Sequence, residues 1–335
     1  MRSAKKTYLV TGGCGFIGSH LVDRLIELGR VRVYDNLSSG KEDYVAAHRN
    51  NKYFELIRAD LLDPGRLKKA AKGAEAVFHL AANPEIRLGQ TNPRVDYRQG
   101  TEATYNVLEA MRCNKIKKIV FSSSSTVFGQ PLVRPTPEDY APMRPISIYG
   151  ASKMACEGFI SAYCHMFDMQ SWIFRFANIV GKRATHGILF DFLRKLGVNR
   201  GSLEVLGNGR QRKSYLLAGD CVDGMLYAFN KAKDQVNLFN LGAEDDIRVS
   251  EIAGILLRKG GFKETIIRYS GGERGWRGDV PLMLLDVSKM KKLGWKAGYS
   301  SAEAIEKAVG CLLEDRARPA PGIPRSNSPR RFSGY

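Results

Sequence analysis

The feature that most constrains the fold is a glycine-rich turn between a short apolar run and a helical pattern. Tyr8-Leu-Val10 is typical of a strand and Phe16–Leu28 of a helix, and Gly12, Gly15 and Gly18 are spaced around their junction. In such a turn the first glycine permits a tight bend, the second lets the backbone approach a ligand, and the third lets the helix pack close to the strand. The free N–H groups that begin the helix favour a bound phosphate. The segment therefore predicts a dinucleotide-binding strand–turn–helix, the alternative being a purely structural glycine-rich turn.

The first 180 residues alternate strand-like runs with helical patterns. Helices are predicted at Thr101–Arg112 and Ser152–Phe167. Further strand-like runs are Val31–Tyr34, Phe54–Ile57, Ala76–Leu80, Lys118–Phe121 and Trp172–Phe176. Strands that are apolar on both faces and alternate with helices imply a parallel sheet covered on both sides. The predicted fold class is α/β, with a doubly wound parallel (Rossmann) sheet in residues 1–180.

The pattern becomes irregular after residue 180. The strand-like run there is Asn237–Leu241, and the predicted helices are Ile188–Leu196, Cys221–Lys231, Val249–Lys259 and Ser301–Leu313. No low-complexity linker separates the two parts, so we expect a smaller α/β lobe, residues 181–315, to pack closely on the first domain and bind substrate. Residues 316–335 are rich in arginine, proline and serine and are predicted to be disordered.

Composition narrows the class of protein. The chain has 335 residues, 44% of them hydrophobic, and a net charge of +18, which suits a globular protein that steers an anionic small substrate. No run is long enough to span a membrane, and the first residues do not form a signal peptide. Six scattered cysteines favour a reducing cytoplasm and give no metal site. Because no nucleic-acid-binding motif is present, we expect no specific nucleic-acid partner.

The acidic residue at the end of the second strand-like run bears on cofactor choice. A carboxylate at Asp35 would accept hydrogen bonds from the ribose hydroxyls and repel a 2′-phosphate, which favours NAD over NADP, although Lys41 could soften that repulsion. Asp60 and Leu61, after the third strand, either border the adenine or form an ordinary turn.

Two further segments carry chemistry. Four consecutive serines in Phe121–Thr126 end the fifth strand, where ligands of doubly wound sheets bind. Tyr149 and Lys153 then share one face at the start of a helix. A phenol has a pKa near 10, and a neighbouring ammonium is expected to lower it. Alone, this pair would be read as a surface contact; after the glycine-rich turn and the serine-ended strand it favours a catalytic pair.

At this point the sequence resembles the extended short-chain dehydrogenase/reductases, and among them the UDP-glucose (UDP-galactose) 4-epimerases. The resemblance covers residues 7–313. The segments that carry it are Thr11–Gly18, Tyr34–Gly40, His79–Ala82, Ile119–Gly129, Tyr149–Lys153, Arg175–Gly181 and Arg277–Asp279.

The resemblance implies roles for individual residues. The catalytic group would be Ser124, Tyr149 and Lys153. Including the glycine-rich turn, the predicted cofactor-binding residues are Gly12, Gly15, Phe16, Ile17, Gly18, Asp35, Asn36, Ser38, Gly40, Asp60, Leu61, Leu80, Ala81, Ala82, Tyr149, Lys153 and Phe176. The predicted substrate-binding residues are Asn83, Ser124, Tyr149, Asn178, Lys213 and Arg277, of which Asn178 and Arg277 would hold the diphosphate. A structural role remains the alternative for Asn178 and Arg277. The same holds for the loop residue His186, for which the functional role would be contact with the substrate.

Three positions depart from the family pattern. Gly100 stands where an asparagine that supports the active site is usual. Lys213 replaces an arginine, which leaves a point charge without a bidentate fork. In Ala218–Asp220, only Asp220 remains of a more usual acidic pair, and it is predicted to cap the next helix.

The residues after Ser124 favour one reaction. Related dehydratases and decarboxylases carry acids there, whereas this chain has Ser125 and Thr126. The resemblance therefore implies a homodimeric, NAD-dependent 4-epimerase of UDP-glucose and UDP-galactose. The alternatives are epimerisation of a UDP-N-acetylhexosamine or UDP-uronate, another nucleotide-sugar epimerase or reductase, and a non-catalytic dinucleotide-binding regulator.

Overall fold

A seven-stranded parallel sheet organises the protein, whose computed structural model describes residues 5–317. Its order is β3-β2-β1-β4-β5-β6-β11. These strands are β1 (Thr7–Thr11), β2 (Arg30–Asp35), β3 (Phe54–Arg58), β4 (Ala76–His79), β5 (Lys118–Ser124), β6 (Gln170–Phe176) and β11 (Val236–Leu241). The chain reverses direction across the sheet between β1 and β4, and ligands of such sheets bind at that switch point. The predicted doubly wound fold is confirmed.

Helices cover both faces of this sheet. Between residues 5 and 317 the α-helices are α1 (Phe16–Leu28), α2 (Pro64–Ala71), α3 (Pro93–Asp96), α4 (Ala103–Cys113), α5 (Ile148–Phe167), α6 (Ile188–Val198), α7 (Ala218–Lys231), α8 (Val249–Lys259), α9 (Ser288–Leu293) and α10 (Ser301–Ala317). On one face Val10 packs with α1 and α7, and on the other Leu9 packs with α2, α4 and α5. Both side chains are fully buried, because successive residues of a strand point to opposite faces. No helix within the described residues is long and apolar enough to cross a membrane.

The position of strand β11 shows that the predicted division of the chain at residue 180 is too simple. The sequence placed Asn237–Leu241 in the second lobe, but β11 pairs in parallel with β6 over its whole length, Val236 opposite Ser171 through Leu241 opposite Phe176. Helix α7 returns the chain to the main sheet, so the two parts share an extensive boundary.

The second lobe is built from short strands and three packed helices. The strands are β7 (Asn178–Val180), β8 (Ser202–Val205), β9 (Arg212–Lys213), β10 (Tyr215–Leu217), β12 (Ile247–Arg248), β13 (Ile266–Tyr269) and β14 (Leu282–Met283). Its core joins α6, α8 and α10 through fully buried side chains such as Leu196, Ile252 and Ile305.

A π-helical segment, Tyr97–Glu102, links α3 to α4 and takes the place of the first two residues of the helix predicted at Thr101–Arg112. Gly100 lies within it and faces α5, where a Cβ built on Gly100 would overlap Ser152 Oγ. Ser152 Oγ donates to Asp96 O at 2.8 Å and lies 3.0 Å from Thr101 Oγ1. The position that departs from the family pattern is therefore filled by a hydroxyl group from the helix that carries Tyr149.

Two local predictions need correction or restriction. Asp220 does not cap α7, because that helix begins at Ala218; the carboxylate lies in the first turn and accepts from Gly298 N at 3.0 Å. Of the tail predicted to be disordered, residues 316 and 317 belong to α10, and residues 318–335 lie outside the described part of the chain.

Candidate active site

Two adjoining cavities lie at the carboxyl ends of the sheet strands. The first, about 160 Å³, runs along the glycine-rich turn and the ends of β2 and β4. The second, about 390 Å³, runs between the sheet and the second lobe. They share a border formed by Phe16, Ile17, Ser123, Tyr149 and Phe176, together with Pro84 and His186. A ligand in the first cavity and one in the second would therefore meet at Tyr149.

The glycine-rich turn forms a cradle that side chains would fill. Gly12 has φ +70° and donates its N–H to Tyr34 O at 3.0 Å. A Cβ at Gly18 would overlap Gly12 O and lie 2.9 Å from Gly12 C. The backbone therefore approaches as closely as a pyrophosphate at the start of α1 requires.

Asp35 borders the same cavity with its carboxylate held by backbone groups. Oδ2 accepts from Cys14 N at 2.9 Å and Oδ1 accepts from Leu37 N at 2.8 Å. Burial raises the pKa of Asp35, against the opposing effect of these two hydrogen bonds. Asn36 and Ser38 line the cavity next to it, with Asn36 Oδ1 accepting from Ser38 N at 3.0 Å.

Most of the other predicted cofactor residues also line this cavity. They are Gly12, Gly15, Phe16, Ile17, Gly18, Leu61, Leu80, Ala81, Ala82, Tyr149, Lys153 and Phe176. Gly40 and Asp60 do not. Gly40 packs against the Cys14 backbone, and Asp60 supports the wall by accepting from Asn36 Nδ2 at 2.9 Å and Leu62 N at 2.9 Å.

The three predicted catalytic residues come from neighbouring elements. Ser124 ends β5, and its Oγ accepts from Thr126 N at 3.2 Å and Thr126 Oγ1 at 3.0 Å. Tyr149 lies in the first turn of α5, where Ser147 Oγ accepts from Gly150 N and caps the helix. Lys153 Nζ lies 5.7 Å from the centre of the Tyr149 ring. The four-residue spacing brings phenol and ammonium together as predicted.

The predicted direction of the Tyr149 pKa is wrong for this structure. Burial raises the pKa of Tyr149, and the nearby Asp96 carboxyl adds to the rise. Burial also lowers the pKa of Lys153 to about 8. Lys153 Nζ donates to Ser122 O at 2.7 Å, so a backbone carbonyl, rather than the phenol oxygen, is its hydrogen-bond partner. Loss of water is therefore the largest cause of the pKa shift of each group.

A buried ion pair holds the serine-ended strand against α5. Arg175 Nη2 donates to Glu157 Oε2 at 2.7 Å, and Ser123 Oγ donates to Glu157 Oε1 at 2.5 Å. Both charged side chains are at least nine-tenths buried. The pair therefore fixes the end of β5 beside the helix that carries Tyr149 and Lys153. The sequence analysis did not single out Glu157, whose spacing of four from Lys153 was the available signal.

A second buried network links the glycine-rich turn to the π-helical segment. His79 Nδ1 is 2.7 Å from Thr11 Oγ1, and His79 Nε2 is 2.9 Å from Thr104 Oγ1. Thr104 Oγ1 in turn donates to Gly100 O at 2.8 Å. Burial lowers the pKa of His79 to about 3, so the ring is neutral and orients the strand ends rather than carrying charge.

The predicted substrate residues are distributed unevenly. Asn178 and Lys213 line the second cavity, where Lys213 Nζ donates to Asp279 Oδ1 at 2.5 Å. Asn83 lines the first cavity and donates from Nδ2 to Asp96 Oδ1 at 2.8 Å. Arg277 does not line either cavity; its side chain is exposed, and the adjacent Trp276 lines the second cavity instead.

Comparison with known proteins agrees with this arrangement. A sequence model of the NAD dependent epimerase/dehydratase family matches residues 8–242. The chain belongs to that family. The protein is thus an NAD-dependent nucleotide-sugar epimerase by family, which confirms the predicted family, enzyme class and cofactor. The glycine cradle and the Asp35 carboxylate fit NAD.

Individual relatives extend the likeness to nearly the whole chain. UDP-glucose 4-epimerase of Mycolicibacterium smegmatis is 30% identical over 309 residues, 90% of this chain and 96% of that protein. A crystal structure of a UDP-galactose 4-epimerase is 42% identical with a TM-score of 0.83, covering 92% of this chain and 99% of the other. UDP-glucose 4-epimerase of Thermotoga maritima, solved with UDP-glucose, is 29% identical with a TM-score of 0.84, covering 92% and 99%.

Proposed function

We propose that the protein interconverts UDP-glucose and UDP-galactose by inverting C4 of the sugar through a transient 4-keto sugar. The observation that carries the proposal is the position of Tyr149, which lines both cavities, lies near Lys153 and shares the second cavity with Ser124. A sugar in the second cavity would present its 4-hydroxyl to a phenol that also borders the cofactor cavity.

The catalytic side chains divide the proton chemistry among them. Tyr149 removes the proton of the 4-hydroxyl and returns it when the carbonyl is reduced again. Lys153 stabilises the phenolate electrostatically, and Ser124 hydrogen-bonds to the sugar oxygen. Held along the glycine-rich turn and Asp35, NAD would supply a reversible hydride acceptor for the hydrogen on C4, which would make the cycle redox-neutral. Ser125 and Thr126 supply no carboxylate that could divert the keto sugar towards elimination or decarboxylation.

The nucleotide end is assigned to the second cavity, which lies between the sheet and the second lobe, residues 181–315. Asn178 and Lys213 line the cavity there and are suited to the diphosphate. Lys213 would exchange part of its contact with Asp279 for a phosphate oxygen. Arg277 would join them only if its segment, Gly275–Asp279, closed over the ligand.

We also propose a cytoplasmic homodimer. Support for the dimer comes from partly exposed aromatic side chains on α4 and α5, where Tyr105 and Phe159 contact each other. Support for a reducing compartment comes from the cysteines, all six of which are unpaired within the described residues.

The test is a coupled assay that measures UDP-glucose formed from UDP-galactose. We expect turnover by the wild type and a loss of about 10²–10⁴-fold in kcat for Tyr149→Phe, with folding preserved. Tyr299→Phe, which removes a phenol hydroxyl outside both cavities, is the matched control and should retain activity. If the wild type turned over no UDP-sugar, the result would favour a non-catalytic dinucleotide-binding regulator. If it turned over only a UDP-N-acetylhexosamine, that sugar would replace UDP-glucose and UDP-galactose as the assigned substrate.

A further inference from the structure

A three-residue charge cluster forms part of the wall of the second cavity. Arg87 Nε donates to Glu85 Oε1 at 2.9 Å, and Arg87 Nη2 donates to Glu85 Oε2 at 3.1 Å. The same Nη2 donates to Asp191 Oδ2 at 3.2 Å. Glu85 and Arg87 follow β4, whereas Asp191 lies on α6, so the cluster bridges the two parts of the protein across the cavity.

The cluster lies at the reactive end of the cavity. The 3₁₀ segment Ile86–Gln90, which includes Arg87, packs on the start of α5: a Cβ at Gly89 would lie 3.6 Å from Ile148 Cβ, one residue before Tyr149. His186, also on this wall, contacts the ring of Phe16, which borders both cavities. A sugar placed with C4 near Tyr149 therefore has this wall as a neighbour.

The charges of this wall do not cancel. Two carboxylates surround one guanidinium, so the cluster carries a net charge of −1. The Arg87 guanidinium lowers the pKa of Glu85, which keeps that carboxyl ionised at neutral pH. Burial lowers the pKa of His186, which keeps the imidazole neutral.

Other cations of the cavity are already engaged. Lys213 contacts Asp279, and Lys195 Nζ donates to Glu204 Oε2 at 2.8 Å. Lys153 lines the cofactor cavity and donates to a backbone carbonyl. The hydroxyl groups of Ser124 and Thr126, which also line this cavity, are neutral. A neutral sugar finds donors and acceptors here, whereas a sugar carboxylate meets like charge.

We propose that Glu85 and Asp191 select the substrate class, an inference that rests on the proposed function. The site accepts UDP-sugars with a neutral hexose and rejects UDP-hexuronates. Rejection by an unfavourable charge is an efficient route to specificity, because juxtaposed like charges cost several kcal/mol. Among the residues that the structure describes, Arg87 is the cation of this wall that could bind a uronate carboxylate, and Glu85 and Asp191 already pair with it.

The test compares kcat/KM for UDP-galactose and UDP-glucuronate in the wild type, Glu85→Gln and Asp191→Asn. We expect the wild type to prefer UDP-galactose by about 100-fold or more. Each variant should lower that preference by about tenfold, through a lower KM for UDP-glucuronate. The kcat/KM for UDP-galactose should stay within a few-fold of the wild-type value. Asp223→Asn, which removes an arginine-paired carboxylate on the surface, is the control and should leave the preference unchanged.

Binding of UDP-glucose and UDP-glucuronate, measured by calorimetry on the NAD-loaded protein, separates the two proposals. If neither UDP-sugar is turned over but the variants strengthen binding of UDP-glucuronate alone, the epimerase assignment fails and the charge selection stands. Turnover of UDP-glucuronate by the wild type within tenfold of UDP-galactose overturns the selection. Equal effects of the variants on both ligands, in turnover and binding, also overturn it.

Discussion

Substituting Gly100 by alanine tests how the π-helical segment is held on α5, because the sign of the stability change depends on one hydroxyl group. A Cβ at Gly100 would overlap Ser152 Oγ and lie 3.3 Å from Ser152 Cβ. That hydroxyl cannot turn away without losing its 2.8 Å hydrogen bond to Asp96 O. Gly100→Ala therefore forces either overlap or a broken hydrogen bond.

The magnitude follows from two opposing effects. Overpacking a well-packed site costs about 1–3 kcal/mol, while replacing glycine by alanine inside a helix gains about 0.5–1 kcal/mol. We expect Gly100→Ala to lower the free energy of unfolding by about 1–2 kcal/mol in the wild type. In a Ser152→Ala background, which itself costs about 1 kcal/mol for the lost hydrogen bond, the same substitution should be neutral or slightly stabilising.

The assay is guanidinium chloride unfolding, followed by circular dichroism, of the wild type, Gly100→Ala, Ser152→Ala and the double variant. Their free energies of unfolding are compared with the slope of the denaturant dependence held the same for all four proteins. The two single substitutions and the double variant form a double-mutant cycle. A coupling energy of about 1–2 kcal/mol is expected, and effects that add within about 0.5 kcal/mol would refute the packing argument.

Three further outcomes are expected. Catalysis requires Tyr149 without its proton, and burial keeps the pKa of this phenol above its ordinary value, whereas Lys153, with a pKa of about 8, must stay protonated. We therefore expect kcat/KM of the free enzyme to rise with pH up to about 8 and to level off above it; a profile that falls from pH 8 to pH 10 contradicts this. Glu157→Gln leaves the buried Arg175 guanidinium without its countercharge and should cost about 3–5 kcal/mol in chemical denaturation, and a loss below 1 kcal/mol would show that the charge finds other compensation. Asp35→Asn should weaken the binding of NAD and lower the preference for NAD over NADP, both measured by titration. An unchanged ratio of the two dissociation constants would show that Asp35 does not select the cofactor.

Local patterns made much of the fold predictable. The glycine-rich turn, the apolar strands and the Tyr149–Lys153 spacing depend on neighbours within a few residues, and the structure has the predicted elements in the predicted order. Strand β11 was assigned to the wrong part of the chain, because its pairing with β6 is a contact between residues distant in sequence. Periodicity shows that a strand exists and not which sheet it joins.

The remaining differences in the site have tertiary causes. The pKa of Tyr149 depends on burial, which a helical spacing does not reveal. Glu157 and Arg175 are far enough apart in sequence that their pairing appears only once α5 lies against β6. Arg277 matched a motif, but the course of its loop brings Trp276 to the cavity instead.

The fate of the hydrogen on C4 tests the central claim most directly. UDP-galactose carrying deuterium at C4 would be converted in ordinary water and the UDP-glucose formed examined by NMR and mass spectrometry. If Tyr149 handles only the hydroxyl proton and the carbon-bound hydrogen leaves and returns within the enclosed site, the product keeps its deuterium at C4. Replacement of that deuterium by solvent hydrogen would contradict the proposed chemistry.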